Sequence, residues 1–158
     1  MTSTEGGGRC DFFVTYNHND GSWALWIAAE LEQAGYHVRI QAWDFRPGGN
    51  FMAEMNSALG ECAHTIGVMS ENYLQSVFST AEWTAAYRQA LLGRDRGFIP
   101  VRVTSCDPAP LLGPIAYIDL VGVDEAEARR RLLEGVVAQV PRKRRAPGFP
   151  GAAGNRAP

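Results

Sequence analysis

Short apolar runs alternate along the chain with segments of helical periodicity. Residues 11–16 and 65–69 are largely apolar and of strand length, which is typical of parallel strands buried on both faces of a sheet. Three further runs predict strands at residues 36–42, 98–103 and 115–120. The first two runs are therefore expected at the centre of the sheet.

The segments between these runs predict helices. The first ends at Gly35 and carries the apolar repeat Trp23, Ile27, Leu31 and Ala34. The next carries Phe51, Met55, Ala58 and Leu59, and another spans residues 84–92. The last helix is predicted to start at Asp124, with Glu127 as its capping-box partner.

This alternation predicts an α/β fold: a flavodoxin-like, doubly wound, five-stranded parallel sheet in strand order 2-1-3-4-5. Pro100 cannot donate a ladder hydrogen bond, so a local interruption is expected in the fourth strand. Residues 104–114 are expected to form a proline-rich loop.

The two ends of the chain differ from its middle in composition. Residues 1–9 are small and polar and are expected to be a disordered N-terminus, whereas residues 10–140 form one predicted domain. Residues 141–158, rich in Pro, Gly and Arg, are predicted to be a linker or tail. Its basic run at residues 142–145 is interpreted as solvated linker rather than a nucleic-acid patch.

Composition narrows the choice of partners and compartment. A net charge of −2 gives no general reason to expect nucleic acid or an anionic membrane as partner. Cys10, Cys62 and Cys106 lack the spacing of a metal site, so no metal is expected. They are interpreted as three reduced thiols in a cytoplasmic protein.

Ligands of open α/β sheets bind beyond the carboxyl ends of the strands. Tyr16 and Asn17 end the first strand, and Glu82 is predicted in the first turn of a helix just past the third strand. Glu82 is then either an acid whose charge interacts favourably with the helix macrodipole at the start of the helix, or a functional carboxylate. The sequence lacks a glycine-rich phosphate loop, a phosphoacceptor site with a lysine in the sheet, and a GxSxG elbow. Its one lysine is Lys143.

Four motifs, in order, resemble a bacterial-type Toll/interleukin-1 receptor (TIR) domain. They are the first strand at residues 11–16, Arg-Pro-Gly at residues 46–48, the stretch from Ser70 to Trp83, and Ile-Pro-Val at residues 99–101. The resemblance covers residues 10–140, although the family's Phe-Trp box is not evident. It implies the fold predicted above and accounts for the proline in the fourth strand.

The resemblance also implies an activity, because many members of the family cleave NAD+ between nicotinamide and ribose. Their catalytic glutamate corresponds to Glu82. One carboxylate suffices for this reaction. Nicotinamide departs as a neutral molecule and needs no general acid, whereas the ribosyl cation needs stabilisation. NAD+ is then a substrate and no cofactor is expected; the product is ADP-ribose or a cyclic variant.

Supporting roles follow for residues around Glu82. Trp43 and Phe45 would stack on a flat heterocycle and Arg46 would pair with pyrophosphate, unless Trp43 covers the sheet edge and Arg46 is solvated. The remaining candidate substrate-binding residues each have a structural alternative, such as helix capping for Ser76 and inward packing for Trp83. They are Tyr16, Asn17, Ser76 and Trp83.

The competing interpretation is a non-enzymatic TIR module that only associates with other TIR domains in signalling. The same fold carries both uses. The expected partners are other TIR domains and, for a longer protein, a C-terminal sensor or oligomerisation domain. The enzyme is expected to act in signalling or bacterial (antiviral) defence, and the non-enzymatic module in signal transduction.

Overall fold

The computed structural model describes residues 10–42, 57, 60–92 and 97–139. Within them, five strands form one parallel sheet in the order β2-β1-β3-β4-β5, which confirms the predicted fold class and strand order. The strands are β1 (Cys10–Tyr16), β2 (Val38–Ala42), β3 (Cys62–Met69), β4 (Phe98–Arg102) and β5 (Ile118–Asp119). The predicted N-terminal disorder, the tail and most of the second predicted helix lie outside the described residues.

Helices cover both faces of the sheet. They are α1 (Gly21–Gln33), α2 (Glu71–Val77), α3 (Ala81–Tyr87), α4 (Ala109–Leu112) and α5 (Glu125–Gln139). A π-helical turn, Arg88–Leu92, continues α3. The first predicted helix is confirmed as α1, and Gly35 follows it with a φ of 100°.

The alternation of side chains along β1 divides the core into two clusters. Phe12 and Val14 pack with residues of α1 and α5 on one face, which we call the α1 face. Phe13 packs with residues of α2, α3 and α4 on the other, which we call the α2 face. All three β1 side chains are fully buried, as a central strand requires.

Pro100 does not interrupt β4, so that prediction is wrong. Val103 N–H donates to Met69 of β3, whereas the Arg102 carbonyl accepts from Leu120 on the β5 side. Backbone groups of successive strand residues point alternately to the two neighbouring strands, so the backbone nitrogen of Pro100, like that of Arg102, points toward β5. However, β5 pairs with β4 only from Val101 onward. The missing N–H therefore leaves no ladder bond unmade, and the same geometry explains why β5 is shorter than predicted.

Other boundaries differ from the sequence prediction. The proline-rich loop contains the short helix α4, and β3 begins at Cys62, earlier than expected. Asp124 does cap α5 by accepting from Glu127 N–H at 2.9 Å. The Glu127 carboxylate is bound by Arg130 and Arg131, so only this half of the predicted capping box forms.

Cys10 and Cys62 form a disulfide, so the expectation of three reduced thiols is wrong for this pair. The two residues are register partners at the first residues of β1 and β3, which brings their side chains together. Cys106 is the free cysteine of the three. In the described part of the chain, no helix is long and apolar enough to cross a membrane.

Candidate functional site

Three polar contacts join the end of β1 to α2 at the carboxyl edge of the sheet. The Thr15 and Tyr73 hydroxyls lie 3.4 Å apart, Asn17 Nδ2 donates to Ser76 Oγ at 3.0 Å, and Ser70 Oγ donates to Asp20 Oδ2 at 2.5 Å. We call these three contacts the β1–α2 clasp. They hold α2 over the place where β1 and β3 end side by side.

Asn17 and Ser76 are the members of the clasp that the sequence identified as site residues. The Asn17 side-chain oxygen accepts from Asn19 N–H and so caps the 3-10 turn His18–Asp20, while its amide nitrogen reaches Ser76. Only 5% of Asn17 is exposed. Ser76 lies inside α2 and does not cap the next helix, which is capped by Thr80.

Asp20 and Ser70 are functional candidates that sequence reasoning missed. Asp20 directly precedes α1, yet its side chain makes no cap hydrogen bond there and instead accepts from Ser70. Ser70 caps α2 by accepting from Tyr73 N–H at 3.0 Å. The available signal was their position, because Ser70 directly follows β3 and Asp20 lies in the turn after β1, and polar side chains beyond the strand ends share one edge of the sheet.

Glu82 lies in the first turn of α3, as predicted. Helix α2 stands between β3 and this turn. The Glu82 carboxylate is exposed, and within the described residues no hydrogen bond or ion pair engages it. It is therefore available to a ligand.

Tyr16 and Trp83 pack on opposite faces of the sheet. The Tyr16 ring packs against the cluster of the α1 face, and Trp83 packs against that of the α2 face. Trp83 thus takes the inward-packing alternative. The structure brings Asn17 and Ser76 together but does not bring these two rings to one cleft.

A buried tyrosine pair joins α2 to α3. The Tyr73 and Tyr87 hydroxyls lie 3.0 Å apart and their rings meet edge to face at 5.9 Å. Burial raises the pKa of Tyr73 to about 12 and that of Tyr87 well above its usual value, so both hydroxyls keep their protons at neutral pH. Thr84 adds a bond from its hydroxyl to the Val77 carbonyl at 2.9 Å.

The remaining predicted substrate-binding residues, Trp43, Phe45 and Arg46, lie outside the described residues. Among the residues that are described, no group of three or more His, Cys, Asp or Glu side chains is arranged to hold a metal ion.

Comparison with known proteins assigns the family. The sequence model of the family described as TIR domain matches residues 12–133. Protein toll of Drosophila melanogaster is 28% identical over 92 residues, which is 56% of this chain and only 8% of that protein. The crystal structure of the TIR domain of the Toll-related receptor TRR-2 from Hydra magnipapillata has a TM-score of 0.59 at 21% identity, covering 82% of this chain and 96% of that one. The fold is thus shared, and because the family match spans more than half of the sequence, this chain belongs to the TIR domain family.

Proposed function

We propose that this TIR domain cleaves NAD+ between nicotinamide and ribose, with Glu82 as its catalytic carboxylate. The observation that supports this most is the exposed Glu82 side chain, which no described residue engages, on a helix tied through α2 to the carboxyl edge of β1 and β3. We place the reaction in the cytoplasm, where NAD+ is present.

The bond balance explains why one carboxylate is enough. The bond between C1′ and the pyridinium nitrogen breaks, and its electron pair neutralises the departing nicotinamide. Glu82 faces the positive charge that develops on the ribose, and a carboxylate placed there in advance stabilises it. Water then adds to C1′ and releases a proton, giving ADP-ribose; attack by the adenine ring instead gives a cyclic product.

The test compares two first-turn glutamates. Glu82→Gln keeps the shape of the side chain and removes its charge, so nicotinamide release should fall by roughly 10² to 10³. Glu71→Gln is the matched control, because Glu71 occupies the first turn of α2 but its carboxylate binds Gln75. It should retain activity. Equal rates for wild type and Glu82→Gln, with equal melting temperatures, would make Glu82 a structural acid.

A second candidate is a signalling module that acts only by associating with other TIR domains. It is favoured by the two receptor relatives, Protein toll and the Toll-related receptor of Hydra. Concentrated wild-type protein that self-associates yet releases no nicotinamide would support this candidate. If the enzyme also requires association, its specific activity should rise with protein concentration.

A further inference from the structure

The tyrosine pair between α2 and α3 links three elements of the support for Glu82. Tyr73 lies on α2, its hydroxyl is 3.4 Å from that of Thr15 at the end of β1, and 3.0 Å from that of Tyr87 on α3. Thr15 and Tyr87 are fully buried and Tyr73 is 1% exposed. The chain of hydroxyls therefore runs through the core from β1 to α3.

Helix α3 is also held by the bond from the Thr84 hydroxyl to the Val77 carbonyl and by apolar packing. It has seven residues, of which Tyr87 alone is buried, while Trp83 and Ala86 are partly buried. A helix this short is marginal by itself and depends on tertiary contacts. Apolar contacts, such as that of the Tyr87 ring with Phe98, are non-directional, whereas a hydroxyl bond fixes both distance and angle.

We propose that Tyr73 and Tyr87 are positioning residues: their hydroxyl bond sets α3, and hence Glu82, relative to the end of β1. This inference rests on the proposed function. Tyr87 lies at the far end of α3 from Glu82, so it acts through the helix and does not touch the substrate. Loss of the bond lets the helix shift on its apolar contacts, and a displacement of about 1 Å at a catalytic group can cost up to about 10²-fold in rate.

The experiment uses Tyr73→Phe, Tyr87→Phe and the double variant. Tyr73→Phe takes the partner from both the Thr15 and the Tyr87 hydroxyl, whereas Tyr87→Phe leaves the Tyr73 hydroxyl next to Thr15; both should melt below wild type, Tyr73→Phe by more. The double variant keeps both rings and leaves only the Thr15 hydroxyl without its tyrosine partner, so it should melt above Tyr73→Phe. Its kcat should nevertheless stay about 10- to 100-fold low with KM little changed, which a purely structural role does not predict.

Two further measurements separate the possible outcomes. Amide hydrogen exchange in residues 81–87 of the double variant should be faster than in wild type, while exchange in β1 and β3 is unchanged. Tyr36→Phe, a partly buried tyrosine that packs on the α1 face, is the control and should match wild type in rate and exchange. A double variant with wild-type kcat and exchange would overturn the positioning role while leaving Glu82 catalysis intact. Wild-type protein that releases no nicotinamide would overturn the proposed function and this inference together.

Discussion

The Asp20 carboxylate accepts its short hydrogen bond from the hydroxyl of Ser70, across a separation of fifty residues in the sequence. Both side chains are buried, with 7% of Asp20 and 1% of Ser70 exposed. Ser70 at the same time accepts from Tyr73 N–H, so one hydroxyl caps α2 and satisfies a buried carboxylate. The loop after β1 and the start of α2 are thereby fixed to each other.

We therefore expect Ser70→Ala to be costly. Loss of the cap should lower the free energy of unfolding by about 1 kcal/mol, and the unpaired buried acceptor should add about 1 to 3 kcal/mol. Thr80→Ala is the matched control, because Thr80 caps α3 through the same bond to Trp83 N–H but is exposed. In chemical denaturation, Ser70→Ala should have a lower free energy of unfolding than Thr80→Ala. Equal losses would mean that the Asp20 bond contributes nothing beyond the cap.

The disulfide gives a prediction that can be checked by counting thiols. Denatured protein without reductant should show one reactive thiol, Cys106, and three after reduction. The bridge closes a loop with a sequence separation of 52, so reduction should lower the free energy of unfolding by about 2 to 4 kcal/mol. Cys106→Ser should remove one thiol from both counts. Three thiols in unreduced protein isolated without reductant would contradict the bridge.

The sheet was predictable because its signal is local. Phe12, Phe13 and Val14 form an apolar run that fits only a strand covered on both faces, and the run of β3 is similar. The error at Pro100 arose because the cost of a missing N–H depends on where the neighbouring strand begins. That position, opposite Val101, is a property of the assembled sheet.

The sequence predicts the candidate site only where the ends of the strands determine which residues lie close together. Asn17 and Ser76 were both candidate substrate-binding residues, and the structure brings them together. The face of the sheet on which the Tyr16 ring lies follows from alternation with Phe12 and Val14, although its position at the end of β1 suggests the cleft. The Cys10–Cys62 bridge could not be found, because it depends on the register of two strands that are distant in sequence.

Gly97 should tolerate no side chain. Its φ is 65°, and an added Cβ would collide with the ring of His64. Gly97→Ala should therefore combine left-handed backbone strain of about 1 to 2 kcal/mol with overpacking of about 1 to 3 kcal/mol. Gly122→Ala isolates the first contribution, because Gly122 has a φ of 77° and open space around its Cβ. If both variants lose the same stability in chemical denaturation, the His64 contact is not restrictive.

His64 should make the stability of the domain depend on pH. It lies half-buried on β3, and desolvation lowers its pKa below the usual 6.5, although the nearby Asp11 carboxylate opposes this shift. Because the folded-state pKa is lowered, the unfolded chain binds more protons at mildly acidic pH. The contribution to stability is complete above about pH 6.5 and is lost as the pH falls through the folded-state pKa.

The measurement is the free energy of unfolding between pH 8 and pH 5, with wild type compared to His64→Gln. One histidine exchanges at most one proton, so its slope stays below about 1.4 kcal/mol per pH unit and should disappear in His64→Gln. Asp11→Asn removes the charge that raises the pKa of His64. It should therefore extend the loss of stability to lower pH and make it larger in total. A His64→Gln profile parallel to that of wild type would show that this histidine is not the source of the dependence.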